Sequence, residues 1–257
     1  MLFRYRTVDF SSFGNQTFGL TGVLVTNFTT YTTNGGPKNY ITASPVPGSN
    51  YMNAQFTGIT YNVADGTDDV DLEISAHITN QVITKNGAGK MSVVTPYTPQ
   101  ITGPLTISAG TFDIGGSCSM PVNFSVPSGN PINTIANNGT FSYSSSINSN
   151  CSNFAISGTG NLIKSGTSSL TLSSNKCTYT GSTSILSGSI VTTKDTATST
   201  FTPTTLTVNF TVPPNIGDAF KFFTGSTVQT YASVSLIGAP GRTASYNSSN
   251  STLTIDS

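Results

Sequence analysis

No window of about 12 residues in this chain keeps apolar positions at helical spacing without meeting a glycine, a proline or a run of β-branched residues. What recurs instead is alternation. Leu206, Val208, Phe210 and Val212 interleave with Thr205, Thr207, Asn209 and Thr211, and Val70, Leu72, Ile74, Ala76 and Ile78 interleave with Asp71, Glu73, Ser75 and His77. Period two predicts strands with one buried face. Turn signals interrupt them often, at Asn34–Pro37, Pro45–Gly48, Asp65-Gly66, Asn86-Gly87, Pro127–Pro131 and Pro213-Pro214. Short strands at this density of turns predict an all-β sandwich, a barrel or a coil of strands.

Composition narrows the function classes. Lys and Arg number 10 against 10 Asp and Glu, only 8% of residues are charged, and Thr, Ser and Asn fill the surface. Those three residues and the 25 glycines are poor helix formers. A net charge of +0 supplies no basic stripe for nucleic acid. With 35% apolar and 10% aromatic residues the chain can bury a core, which separates it from disordered sequences.

The two halves read differently. Residues 1–105 hold most of the proline-bracketed loops, the single Glu and the single His, and predict an antiparallel sandwich or jelly-roll-like domain. Residues 106–257 carry sparse charge and short apolar pieces between glycines, and form the second predicted domain. Thr95-Pro96-Tyr97-Thr98-Pro99 cannot serve as a central strand, so the boundary is placed between Pro96 and Pro104. Met1 to Asp9 carries no apolar stretch of the about 7 to 15 residues a secretory leader needs. No segment reaches the ~20 apolar residues of a membrane span either. The expectation is a protein assembled in the cytoplasm without membrane insertion. Cys118, Cys151 and Cys177 have neither Cys-x-x-Cys spacing nor a nearby His, which argues against zinc and leaves buried free thiols or one disulfide.

From Ile156 to Leu172 the chain reads Ile-Ser-Gly-Thr-Gly-Asn-Leu-Ile-Lys-Ser-Gly-Thr-Ser-Ser-Leu-Thr-Leu, and it continues through Tyr179-Thr180-Gly181 and Leu186-Ser187-Gly188-Ser189-Ile190. Glycines mark corners, and Leu162, Leu170, Leu172, Ile185 and Ile190 can share one interior. This run resembles the passenger-associated β-strand repeat of bacterial autotransporters, with its Gly-x-Gly-x-Leu-x-Lys-x-Gly, Leu-x-Leu and Tyr-x-Gly elements. Asn137-Asn138-Gly139-Thr140-Phe141 is similar to the rung that precedes it. Ile216–Gly225 and Tyr246–Ile255 are similar to the cap that ends such passengers. The resemblance covers roughly residues 115–257 and implies a short right-handed parallel β-helix with a C-terminal cap. It implies a building unit and no activity. The sequence holds one clear repeat copy, and no translocator barrel follows it before Ser257.

Candidate chemistry is concentrated in one place. Asp65, Asp68, Asp69, Asp71 and Glu73 are five of the ten acidic residues. Asp65, Asp68, Asp69 and Asp71 could supply oxygens to Ca²⁺, although their order is not that of an EF-hand. The alternative is an acidic loop that keeps an edge strand from pairing with other sheets. His77 would share a strand face with Ser75, Glu73 and Asp71, but at ~6.6 Å spacing and without a nucleophile elbow, so no catalytic residue is nominated. Asp113, Asp195, Asp218 and Asp256 are too dispersed for a glycosidase pair. Tyr143, Tyr179, Tyr231 and Tyr246 could stack on sugars or pack in strands. No cofactor is expected. The reading is a non-enzymatic structural protein, a minor capsid or fibre protein of a virion, with other structural proteins as partners and host-surface glycans as a further ligand class. The alternative is a secreted or cell-surface adhesin passenger.

Overall fold

The computed structural model describes residues 7–9, 18–19, 26–30, 38–42, 51–53, 58–79, 82–95, 104–120, 134–194, 196–223, 227–228 and 230–257. The turns expected at Asn34–Pro37, Pro45–Gly48 and Pro127–Pro131, and most of the 96–104 boundary, lie outside these residues. Every regular element described is a strand, and most pairings are parallel, the arrangement of a β-helix-like fold.

The strands stack into three main faces. The longest sheet has nine strands and runs from Thr7–Asp9 through Asn39–Thr42, Leu72–Ile74, Lys90–Val93, Thr111–Ile114, Thr140–Tyr143, Asn161–Lys164 and Ser182–Ile185 to Thr227–Val228. The second stacks Thr26–Thr30, Gly58–Val63, Val82–Asn86, Leu105–Ile107, Thr134–Asn137 and Ala155–Ser157, extended by a bridge from Ile156 to Cys177. The third face holds Phe18–Gly19, Tyr51–Asn53 and His77–Thr79 in one sheet and, later in the chain, Ser149–Cys151, Ser169–Ser173 and Ser189–Lys194 in another. The chain visits one face after another and returns to the first, so each strand pairs with one from the next circuit. Phe141, Leu162 and Thr183 are register partners and lie 21 residues apart.

This pairing corrects the expectation for the N-terminal half. An antiparallel sandwich or jelly roll was predicted there, yet every described strand of residues 7–93 pairs in parallel. The ladders also cross position 105, since Val82–Asn86 pairs with Leu105–Ile107 and Lys90–Val93 with Thr111–Ile114. The physical reason is that alternation reports one buried face and is blind to strand direction. Residues 70–78 illustrate it. They are two strands, Leu72–Ile74 and His77–Thr79, on two faces, with a corner at Ser75 and Ala76 where both amides donate to Ile41 O at 2.9 and 3.4 Å. Leu72, Ile74, Ala76 and Ile78 are all buried, so the alternation continues around the bend because both strands face one lumen.

Columns of like side chains fill that lumen. Ile41, Ile74, Val93, Ile114, Tyr143, Lys164 and Ile185 stand in successive register on the long sheet, with Leu72, Met91, Phe112, Phe141 and Leu162 beside them. All are buried, as are Leu170, Leu172 and Ile190 from the third face. The glycine corners close the circuits tightly. A Cβ on Gly160 would lie 2.2 Å from Gly139 O, and one on Gly181 would lie 2.2 Å from Gly160 O. Gly158 turns with φ of 102°, a conformation L side chains avoid.

The C-terminal part departs from parallel pairing. Ala197–Phe201 runs antiparallel to Ser189–Lys194 and to Thr205–Phe210, and Ala219–Lys221, Thr252–Ile255 and Ala244–Asn247 form an antiparallel sheet. Phe201 meets Phe222 and Phe223 edge-on, with ring centroids 5.6 and 5.3 Å apart. Leu206, Val208 and Phe210 are buried as expected, but the strand ends at Phe210 and Val212 is 56% exposed beside Pro213-Pro214. Substituting Gly160→Ala should cost about 3 kcal/mol through forced backbone separation. Gly217→Ala, with nothing within 4 Å of its Cβ, should cost only the roughly 1 kcal/mol of a positive φ. Thermal denaturation of the two variants measures the contrast.

Candidate functional site

The densest polar chemistry sits on the outward side of the long sheet. Between the inward positions Phe112 and Ile114, Asp113 is in register with Ser92 and Ser142, and Glu73 and Tyr40 continue the same column. Ser92 Oγ and Ser144 Oγ each donate to Asp113 Oδ2 at 2.8 Å, and Lys90 Nζ stands 3.9 Å from the same oxygen. Asp113 is 2% exposed, and its Oδ1 has no hydrogen-bond partner among the described residues. Gly115 makes the room, because a Cβ there would lie 3.0 Å from the carboxylate and both hydroxyls. At the neighbouring rung Lys38 Nζ pairs with Glu73 at 2.7 Å and lies 5.0 Å from the Tyr40 ring centroid. The Glu73 carboxylate holds the Lys38 pKa above its ordinary value.

The four nominated metal ligands do not form a cage. Asp71 is buried and fully engaged, accepting from Gly66 N at 2.6 Å through Oδ1 and from Lys90 N at 2.7 Å through Oδ2. Asp68 Oδ2 accepts from Lys38 N at 2.6 Å, and Asp65 and Asp69 are exposed. Among the described residues no group of three or more His, Cys, Asp or Glu is placed to hold a metal ion. The edge-protection alternative does not hold either, since Leu72–Ile74 is flanked on both sides by parallel strands. Asp71 instead clamps a corner of the coil to the next rung, with charge-assisted bonds to backbone amides. The corner at Ser75 and Ala76 likewise separates Glu73 from His77, which lies on another sheet in register with Tyr51. The His77 side chain lies outside the described residues.

Two lysines occupy the lumen. Lys85 Nζ donates to the carbonyls of Asn86, Gly87 and Ala109 at 3.0, 2.9 and 3.2 Å. Lys164 Nζ donates to Ser165 O and to Gly166 O, the latter at 3.0 Å, and lies 5.6 Å from the Tyr143 ring centroid. Both are 0% exposed, and burial pulls each pKa down to about 8. Sequence reasoning read Lys164 only as part of the repeat and passed over Lys85. The legible signal was position, because each lysine directly precedes a corner whose carbonyls need donors.

Burial also quiets the remaining candidates. Cys118, Cys151 and Cys177 are free and buried, with pKa values pushed up to about 12, so the thiols stay protonated at neutral pH. Tyr143 Oη donates to Ile147 O at 2.5 Å and shares a hydrogen bond with Ser149 Oγ, while Tyr179 Oη shares one with Thr183 Oγ1 at 2.6 Å. Tyr231 and Tyr246 pack on the Phe201 ring at centroid distances of 5.7 and 6.2 Å. Tyr143 and Tyr179 belong to the interior, and Tyr231 and Tyr246 are half-buried against it. No helix described is long and apolar enough to cross a membrane. No protein-family model matches the chain, and neither does any curated protein or solved structure.

The lumen lysines set a pH dependence. A base whose folded pKa lies near 8 and whose unfolded pKa is 10.5 binds fewer protons when folded across that window. Its contribution to stability therefore rises between pH 8 and 10.5 and is flat below. Denaturant melts of the wild type and Lys164→Met should diverge in the wild type's favour over that window.

Proposed function

We propose that this chain is a non-enzymatic structural protein, a minor capsid or fibre component of a virion. The observation that carries the proposal is where the chemistry is spent. Asp71, Asp113, Lys85 and Lys164, the buried charged groups among the described residues, all bond to the coil itself. Asp71, Lys85 and Lys164 hold backbone in place and Asp113 ties two serine hydroxyls of adjacent rungs, a use of charge that serves durability. Hydroxyl and amide side chains on the outward positions hydrate the surface with little charge.

The coil is right-handed in this reading, because strand–crossover–strand connections in one sheet are right-handed in nearly all proteins. The segment from Ile156 to Ile190 is a repeat of the autotransporter passenger kind, here serving as one stretch of a longer stack. Its support is the placement of Gly158, Gly160, Gly166, Gly181 and Gly188 where a Cβ would strike the backbone of the preceding circuit. Other structural proteins are the expected partners.

Quantitative mass spectrometry of purified particles tests the location. The reading requires the chain at a fixed ratio to the major shell protein, retained through gradient purification. Recovery only in cell-envelope fractions, with particles free of it, would overturn the virion reading in favour of a surface adhesin.

A further inference from the structure

We propose that the strand Ser233–Ile237 is a self-association edge, at which a second copy of this chain adds its own Ser233–Ile237 antiparallel across a twofold axis. Among the described residues the strand pairs with Thr205–Phe210 on one side only and closes the strand order of its sheet. An edge strand offers every second N–H and C=O to another chain, and proteins that stay monomeric protect such edges with charge, proline or a bulge. Ser-Val-Ser-Leu-Ile has no charge and no proline, and its register with Thr205–Asn209 is unbroken.

A second observation points the same way. Inward residues of the preceding strands in this sheet, such as Phe201, Leu206 and Val208, are 0% exposed. Val234 and Leu236 are the inward register partners of Leu206 and Val208 and also pack against the core, yet both are only half-buried. The core is thus left open along this edge among the described residues, and one more strand would cover it.

The occupant follows from symmetry and charge. A twofold axis through Ser235 sets Val234 of each copy opposite Leu236 of the other, forming two apolar cross-strand pairs on the inner face. Ser235 then faces its own copy, and no like charges meet. A chain of net charge +0 adds no long-range repulsion between copies.

Sedimentation velocity of the full chain across the micromolar range tests this. The wild type should populate a dimer. Ser235→Lys and Ser235→Asp each place like charges opposite one another at the axis, so each alone should sediment as a monomer with wild-type circular dichroism. An equimolar mixture of the two should recover the dimer, which misfolding could not produce. A wild type that stays monomeric throughout, or a dimer that both variants leave intact, would overturn the proposal. Neither result bears on whether the protein resides in a virion.

Discussion

Backbone of one circuit lies directly on the backbone of the circuit before it, and the rest of the structure follows from that contact. At the corner before the long sheet, Gly139, Gly160 and Gly181 stack so closely that a Cβ on any of them would fall within 2.4 Å of the carbonyl oxygen of the glycine one circuit earlier. Only glycine admits this approach, which lets the parallel strands keep their hydrogen-bonding distance around this bend. Once the corners are closed, alternation turns one side of every strand into a common lumen, and apolar columns such as Leu72, Met91, Phe112, Phe141 and Leu162 fill it.

Corners also leave carbonyls and amides without strand partners, and the buried charges answer that need. Lys85 and Lys164 donate to corner carbonyls from inside the coil, while Asp71 accepts from two amides on the outside. A buried charge without such partners would be prohibitive, so the ionised groups and the irregular backbone satisfy one another. The same need explains why Asp71, nominated from the sequence as a metal ligand, is occupied by backbone amides.

Much of the C-terminal architecture was legible. Glycines at 158, 160 and 166 marked real corners, and Leu162, Leu170, Leu172, Ile185 and Ile190 do share an interior. The N-terminal half was misread because its circuits are uneven. Ile41 and Ile74 are register partners 33 residues apart, whereas Leu72 and Met91 are 19 apart, so no fixed period announces a coil. The outward polar cluster was hidden for a related reason. Ser92 and Asp113 lie 21 residues apart, a separation that carries meaning only after the chain is wound. Asp71 was misassigned to a metal loop because a carboxylate that caps backbone amides and one that binds a cation look alike in sequence.

The central claim is that one parallel stack runs without interruption from the N-terminal half into the C-terminal half. Thr84 and Thr106 are register partners across that junction, both half-buried, on adjacent parallel strands about 4.8 Å apart. Dibromobimane fluoresces on bridging two thiols at such a distance, and the native cysteines are buried. The double variant Thr84→Cys/Thr106→Cys should gain strong bimane fluorescence under native conditions, and neither single variant should. Two thiols that label singly without fluorescence would show that the halves are not one continuous ladder.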